Sequence, residues 1–287
     1  MKRLISRGSI WGTCMLSAVM MLLTGCSQEN PPAIEGTAVS ESVYLSVSKL
    51  TDADTNVSLE NAGEIIADGA QSTYIIDEPG DYLLKGKYEG QLQIDVEDEI
   101  VHLILEDAEL TPKEGPAIYV KSAAKVVITI PENSSSVLVD SANYKESANA
   151  KACLYSEADL TINGGGNLRV YGYYKDAIRT KDTLKILDIQ LTVQAKGDGL
   201  RGNDGVLLQT KALEIQCEGT GVYTEKEGKA DKGFVSMSGG TVNIIAGRYG
   251  VEAAENVYIK DCTANIFGVV QNISCKGNQY IEEGCLE

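Results

Sequence analysis

The chain is poor in most of what an enzyme site or a nucleic-acid interface would use. Its 287 residues include one histidine, one tryptophan and two phenylalanines. The lone histidine, His102, lies in the apolar run Val101-His102-Leu103-Ile104-Leu105 with no serine or aspartate constellation, so it reads as a strand residue and not as a catalyst. Basic residues are outnumbered, 25 Lys and Arg against 41 Asp and Glu, for a formal net charge of −16. A surface of that sign argues against nucleic acid and anionic lipid headgroups as partners, and it suits cations. No carboxylate pair can be placed as a glycosidase dyad. The seven cysteines fit no zinc-ligand spacing. The longest leading apolar stretch, Cys14 to Leu23, falls short of the ~20 residues a membrane span needs.

That stretch belongs to residues 1–25, which begin with Lys2, Arg3 and Arg7 and end in the box Leu23-Thr24-Gly25-Cys26. The pattern resembles a bacterial lipoprotein signal peptide, which implies cleavage before Cys26 and lipidation of Cys26. More than one acyl chain would hold the protein to the membrane as a lipid-anchored, extracytoplasmic protein. An ordinary secretory signal or an uncleaved anchor is the alternative. Residues 26–40 contain Pro31-Pro32 and little apolar material, and read as a flexible tether. Residues 41–287 read as one domain. Its cysteines (153, 217, 262, 275 and 285) are expected as free small core or corner residues. If a bridge forms, Cys275–Cys285 is the pair to expect.

What the sequence does have is glycine, 29 residues of it, and repetition. Ala152-Cys153-Leu154-Tyr155-Ser156 aligns with Asp176-Ala177-Ile178-Arg179-Thr180 and with Asp198-Gly199-Leu200-Arg201-Gly202. Thr220-Gly221-Val222-Tyr223-Thr224 and Tyr249-Gly250-Val251-Glu252-Ala253 continue the series. Two further short strands follow each block, and the uninterrupted period, Ile178 to Leu200 to Val222, is 22 residues. Three strands in so short a period leave no room for a helix of ~10 residues, and a propeller blade needs ~40–45 residues. An all-β solenoid remains: a parallel β-helix with three strands per coil, whose coils must stack to bury their apolar sides. Residues 41–110 belong to it less regularly, and Leu59 to Ile75 is expected to cap the N-terminal end. An insert around Glu132 to Lys151, carrying Tyr144, is expected to project as a loop. A second insert, Glu225 to Lys232, is nearly all charge and glycine. Val270 to Glu287 is expected to close the far end.

Alternation points Ile118, Leu154, Ile178, Leu200 and Val222 inward, so the next residue of each block points out. Tyr119, Tyr155, Arg179, Arg201 and Tyr223 are thereby expected in one ligand-binding row along the axis. Tyrosine faces pack on sugar rings, and arginine pairs bidentately with carboxylates such as those of uronic acids. Tyr171, Tyr173 and Tyr174 would extend the row. The plain alternative is a ladder that only covers the sheet.

A family resemblance rests on several motifs that occur in order. They are Gly80-Asp81-Tyr82-Leu83-Leu84-Lys85-Gly86, Gly115-Pro116-Ala117-Ile118-Tyr119-Val120 and the run Ser156 to Gly166. Lys196-Gly197-Asp198-Gly199-Leu200-Arg201-Gly202 and Ser238-Gly239-Gly240-Thr241-Val242-Asn243-Ile244 follow. Together they resemble the carbohydrate-binding β-helix family of clostridial and related bacteria. The resemblance implies a right-handed parallel β-helix at the cell surface that binds polysaccharide, including acidic pectic chains, and holds calcium in turns similar to those of one class of pectate lyase. The family's turn triplet is matched in full by Asp198-Gly199-Leu200 with Asp204. Asp176-Ala177-Ile178 with Asp182 matches with alanine for glycine, and the coils from Thr220 onward have lost the acid. Asp176, Asp182, Asp198 and Asp204 are thus the implied metal ligands. Carboxylates stacked at ~4.8 Å repel by roughly 3–4 kcal/mol at an effective dielectric of 20 and by under ~1 kcal/mol in water, so a shielded pair calls for a cation. The alternative is that Asp precedes Gly because the dipeptide favours turns.

The expected function is a monomeric, calcium-assisted surface lipoprotein that binds acidic, pectin-like polysaccharide without turnover. Two alternatives stand beside it. One is a calcium-dependent pectate lyase, for which Lys181, Arg179 or Arg201 would supply the base. The other is a surface scaffold or adhesin that binds protein.

Overall fold

Runs of five or six residues with alternating burial, broken by glycine- and aspartate-containing corners, favour short strands over helices. The computed structural model describes residues 44, 46–60, 62–65, 73–144, 150–229 and 231–287; the leader, Cys26 and the tether lie outside them. Among the described residues are 25 strands, numbered β1 to β25 in chain order, and a four-residue helix, α1 (Asp52–Thr55), preceded by helical backbone at residues 44, 46 and 47. The strands pair in parallel with strands one lap away, as a β-helix requires.

The first face stacks β2 (Thr73–Ile76), β4 (Gln91–Asp95), β6 (Ile118–Ser122), β9 (Ala152–Ser156), β12 (Asp176–Thr180), β15 (Leu200–Gly202), β18 (Val222–Thr224), β21 (Tyr249–Ala253) and β24 (Gln271–Cys275). Ile178, Leu200 and Val222 stand in one file, continued by Ile118 and Leu154 on one side and Val251 on the other. Each is fully buried. Burial of each such side chain contributes about 1.5–3 kcal/mol, and none of it is available to a coil without neighbours. Ile118 still meets Leu154 in register, so the long insert between them leaves the stack unshifted.

The other two faces are not separate sheets. Strands β3 (Gly80–Tyr88) and β5 (Ile100–Leu110) run through the corner without a turn, and β5 pairs with β7 (Lys125–Ile130) by its first half and β8 (Ser135–Val139) by its second. The bend is a bulge: register slips between Lys85 and Gly86, opposite which Asp107 adopts φ 49°. The second face continues through β10 (Asp159–Gly164), β13 (Thr183–Leu187) and β16 (Gly205–Gln209). The third continues through β11 (Asn167–Gly172), β14 (Gln190–Ala195), β17 (Ala212–Cys217), β20 (Thr241–Ala246) and β23 (Thr263–Gly268).

The N-terminal part departs from the expected cap. Of the described residues here, β1 (Gly63–Ile65) pairs with β3 and β2 pairs with β4, and Ile65 and Ile76 reach the core, so both strands add to the stack. The segment before them lies against the second face: Val47 packs with Leu207, Phe234 and Tyr258, and Asp54 meets Lys125 and Lys185, each at 2.8 Å. At the far end, Leu286 bridges to Ala264 and closes part of the last coil. The five described cysteines are free, and the thiol beside Cys285 is that of Cys262, not Cys275. His102 is a satisfied core residue. Its Nδ1 lies 3.2 Å from Asp81 and its Nε2 2.7 Å from Thr129, and burial, partly offset by Asp81, pushes its pKa down.

Candidate functional site

Register fixes the outward row one residue after the core file. Tyr119 pairs with Tyr155, Tyr155 with Arg179, Arg179 with Arg201, and Arg201 with Tyr223. The five expected ligand residues therefore form one continuous file, and Glu252 extends it. Their exposure differs. Tyr155 is only 1% exposed, packed with Ala150 and Ala152, and its hydroxyl donates to Glu157 at 2.9 Å. Burial, then Glu157, pushes its phenol up to about 12. Tyr155 thus cannot offer its face to a ligand; it supports Tyr119, whose ring meets it edge-on at 5.9 Å.

The two arginines are not equivalent. Arg201 lies over the Tyr223 ring at 4.6 Å and donates to Asp198 at 3.3 Å and to Glu225 at 2.8 Å. Arg179 contacts Asp176 at 3.7 Å, beyond hydrogen-bond reach, which leaves its fork open to a carboxylate ligand. Glu225 was not a sequence candidate. It comes from the charged insert after β18, and the same insert returns Lys232 to Asp204. Its composition signalled charge but not which acids and bases it would meet.

The four expected metal ligands do not converge. Asp176 opens β12 and Asp198 precedes β15, whereas Asp182 and Asp204 follow those strands, roughly 20 Å away along the chain direction. At the far corner the Lys232 ammonium occupies the Asp204 carboxylate, so that pair is already compensated by a cation. At the near corner the acids cap backbone: Asp176 Oδ1 accepts the Asp198 N–H at 3.0 Å, and Asp198 Oδ1 accepts the Thr220 N–H at 2.9 Å. Asp176 Oδ2 is buried without a hydrogen-bond partner, and burial raises the Asp176 pKa despite the Asp198 N–H. That oxygen faces the Arg179 guanidinium at 3.7 Å yet accepts no hydrogen bond, so it fits a cation or a proton; at the Asp182–Asp204 corner Lys232 already supplies the cation. No group of three or more metal-ligating side chains is gathered among the described residues.

The turn reading of the glycines also changes. Gly199 and Gly221 lie outside the left-handed region, and a Cβ on Gly199 would stand 2.6 Å from the Gly221 carbonyl oxygen. Glycine is required there by the approach of the next coil, not by turn geometry.

Tyrosines gather at the corner leading to Asp176. Tyr144 does not project; it stacks on Tyr174 at 4.1 Å because its hydroxyl is drawn inward, 3.0 Å from Asp140 and 2.9 Å from the Ala152 carbonyl. Asp140 also accepts the Tyr173 N–H at 2.6 Å, and burial, opposed by these bonds, pushes its carboxyl up to about 6. Tyr173 is half exposed, with Tyr171 beside it at 6.0 Å.

Comparison with known proteins gives the family. The family model of carbohydrate-binding domain-containing proteins matches residues 70–282. A carbohydrate-binding domain-containing protein of Acetivibrio thermocellus is 30% identical over 291 residues, spanning 99% of this chain and 97% of its own. The chain belongs to this carbohydrate-binding family. Among solved structures, a polysaccharide lyase-like protein from C. thermocellum, determined as a gadolinium derivative, superposes with a TM-score of 0.71 at 31% identity. The match covers 76% of this chain and 90% of that one. Family membership makes polysaccharide the class of partner against which the tyrosine–arginine file is to be read.

Proposed function

We propose that the chain is a surface protein that binds acidic, pectin-like polysaccharide along the first face without turning it over. The observation that carries this reading is the file Tyr119–Arg179–Arg201–Tyr223, in which two guanidiniums on adjacent coils lie between two tyrosines. A flat row on a rigid sheet suits an extended glycan, and uronate carboxylates are the groups an open arginine fork takes best. Arg179→Ala with Arg201→Ala should abolish retardation in a polygalacturonate gel, a weakening of tenfold or more given about 1.5–3 kcal/mol for a charged hydrogen bond. Unchanged retardation would refute the site.

Calcium assists at the Asp176–Asp198 corner in this proposal, with the orphaned Asp176 Oδ2 as the donor that supports it. The similar polysaccharide lyase-like structure was determined as a gadolinium derivative, and hard cations of that kind take oxygen ligands. Calcium titration of the wild type should raise Tm, and Asp176→Asn should remove that response; a response retained by the variant would place the ion elsewhere. The box around Cys26 supports a lipid-anchored, extracytoplasmic location, testable by release of a Cys26→Ala chain from membranes.

A lyase is the second reading, because the similar structure is described as polysaccharide lyase-like. Two of the three bases near the row weigh against it, Lys181 being bound to Glu157 at 2.5 Å and Arg201 to two acids, which leaves Arg179 as the base a lyase would have to use. Appearance of unsaturated uronate absorbance on incubation with polygalacturonate would establish turnover.

A further inference from the structure

The C-terminal end of the third face is closed by a short return of the chain. β23 is the outermost strand of that face, and the chain comes back to it after β25 through a turn at Glu282–Cys285, where Gly284 adopts φ 85°. Three hydrogen bonds then hold the last residues to the strand. The Ala264 N–H donates to the Cys285 carbonyl at 2.7 Å, the Glu287 N–H to the Ala264 carbonyl at 3.2 Å, and the Asn265 amide to the Glu287 carboxylate at 3.1 Å. An edge with so little cover is prone to fraying and to pairing with another chain.

The same return places two cysteines together. Cys262 stands at the corner just before β23, and Cys285 comes one residue before the Leu286–Ala264 bridge, so a short diagonal separates them across the edge. Both side chains turn toward the core: Cys285 is buried within it, Cys262 packs against it, and the two thiols are hydrogen-bond partners. Glu282 fixes the corner from outside, its carboxylate accepting the Asp261 N–H at 2.7 Å and lying 3.8 Å from the Cys285 sulfur. The other described cysteines stand elsewhere. Cys153 lies in β9 and Cys217 in β17, and the Cys275 sulfur, at the end of β24, faces the Gly277 carbonyl at 3.5 Å.

We propose that Cys262 and Cys285 form a disulfide that latches the C-terminal return onto β23. Two small apolar residues would fill the same space; a thiol pair adds a bond between the last coil and the chain end. The reaction takes a disulfide donor, either a small one such as oxidised glutathione or one carried by a thiol oxidoreductase. One cysteine thiolate attacks a donor sulfur and displaces the first donor thiolate. The second cysteine attacks the resulting mixed disulfide, forms the Cys262–Cys285 bond and releases the second. Both cysteine protons end on the two donor thiols, and the electrons lost by the pair reduce the donor's S–S bond. Burial, then Cys285, pushes the Cys262 thiol up to about 12, so the settled pair is a poor nucleophile and the bond forms as the return seats during folding. Closing a loop of this length should slow opening of the return roughly a hundredfold.

The test is to refold the full chain from denaturant in buffers poised from reduced to oxidised glutathione, then digest it without reductant. Mass spectrometry should find the Cys262 and Cys285 peptides linked, as the predominant pairing, on the oxidised side. In the linked protein, native-state hydrogen exchange at the Ala264 and Glu287 amides should be slower than in the reduced protein by roughly a hundredfold. Cys262→Ser and Cys285→Ser should each exchange at the reduced rate in every buffer, whereas Cys275→Ser should still latch. Free thiols at both positions across the whole series, or linkage of Cys285 to Cys275, overturns the proposal. So does a linked pair whose Ala264 and Glu287 amides exchange as fast as in the reduced chain, since the bond would then hold nothing that the three hydrogen bonds do not.

Discussion

Replacing Asp54 with asparagine should release the N-terminal segment from the second face. The carboxylate is fully buried and takes both Lys125 and Lys185 at 2.8 Å, the Thr161 hydroxyl at 2.6 Å and the Thr51 N–H at 2.8 Å. Burial alone would raise its pKa; the two lysines and Thr161 outweigh that and hold it well below the usual carboxylate range. Asparagine keeps the shape and loses the charge, leaving two ammoniums, 12% and 14% exposed, without a counter-ion. Breaking a buried ion pair on one side costs about 3–5 kcal/mol, and partial access of the lysines to water puts this case near ~3 kcal/mol, roughly a hundredfold in the docking equilibrium. Native-state hydrogen exchange of amides in residues 46–60 reads that number directly. A depressed folded pKa contributes stability that is present above the unfolded value of ~3.9 and is lost as pH falls through the folded value, so docking should persist well into acid. Exchange in the variant within about threefold of wild type would refute the reasoning, because the lysines would then be solvated without Asp54.

Two further outcomes follow from the same geometry. Asp140, pushed up to about 6, gives the opposite sign: its contribution is present below the unfolded pKa of ~3.9 and is lost as pH rises through about 6. The unfolding free-energy difference between wild type and Asp140→Asn, read from denaturant titrations, should therefore shift across that window by on the order of 2–3 kcal/mol, and a flat difference would place the carboxyl in water. Gly221→Ala would put a Cβ 2.5 Å from the Gly250 carbonyl oxygen and 2.4 Å from Ile244, so denaturant unfolding should show a loss of about 1–3 kcal/mol; an unchanged midpoint would mean that the coils can spread.

What was legible in the sequence, and what was not, divides along the repeat. The file of Ile178, Leu200 and Val222 was readable because a parallel stack rewards identical spacing, and one slipped residue would turn every core side chain outward. Alternation also gave the direction of Tyr155 correctly but not its cover. That cover involves Ala150, which lies off the repeat, and period-two patterning carries no information about what arrives from an insert. The same limit hid the Asp54 clamp, whose partners are Thr161, Lys125 and Lys185, far along the chain and outside any period. It hid the neutralisation of Arg201 by Glu225 and of Asp204 by Lys232 as well.

These losses share a cause with consequences for function. A residue inside a coil is constrained by neighbours one lap above and below, so its identity mostly reports packing. A residue in an insert answers to no neighbour in the stack and is free to supply charge. The segment Glu225 to Lys232 uses that freedom, placing an acid on Arg201 within β15 and a base on Asp204 just after it. Arg201 therefore meets a ligand carboxylate in competition with Glu225, whereas Arg179, one coil away, does not meet that competitor at hydrogen-bond distance. Affinity along the file should accordingly be set by the length and charge of this insert more than by the repeated positions. Glu225→Gln should then tighten binding of polygalacturonate, where a purely coil-determined site would leave it unchanged.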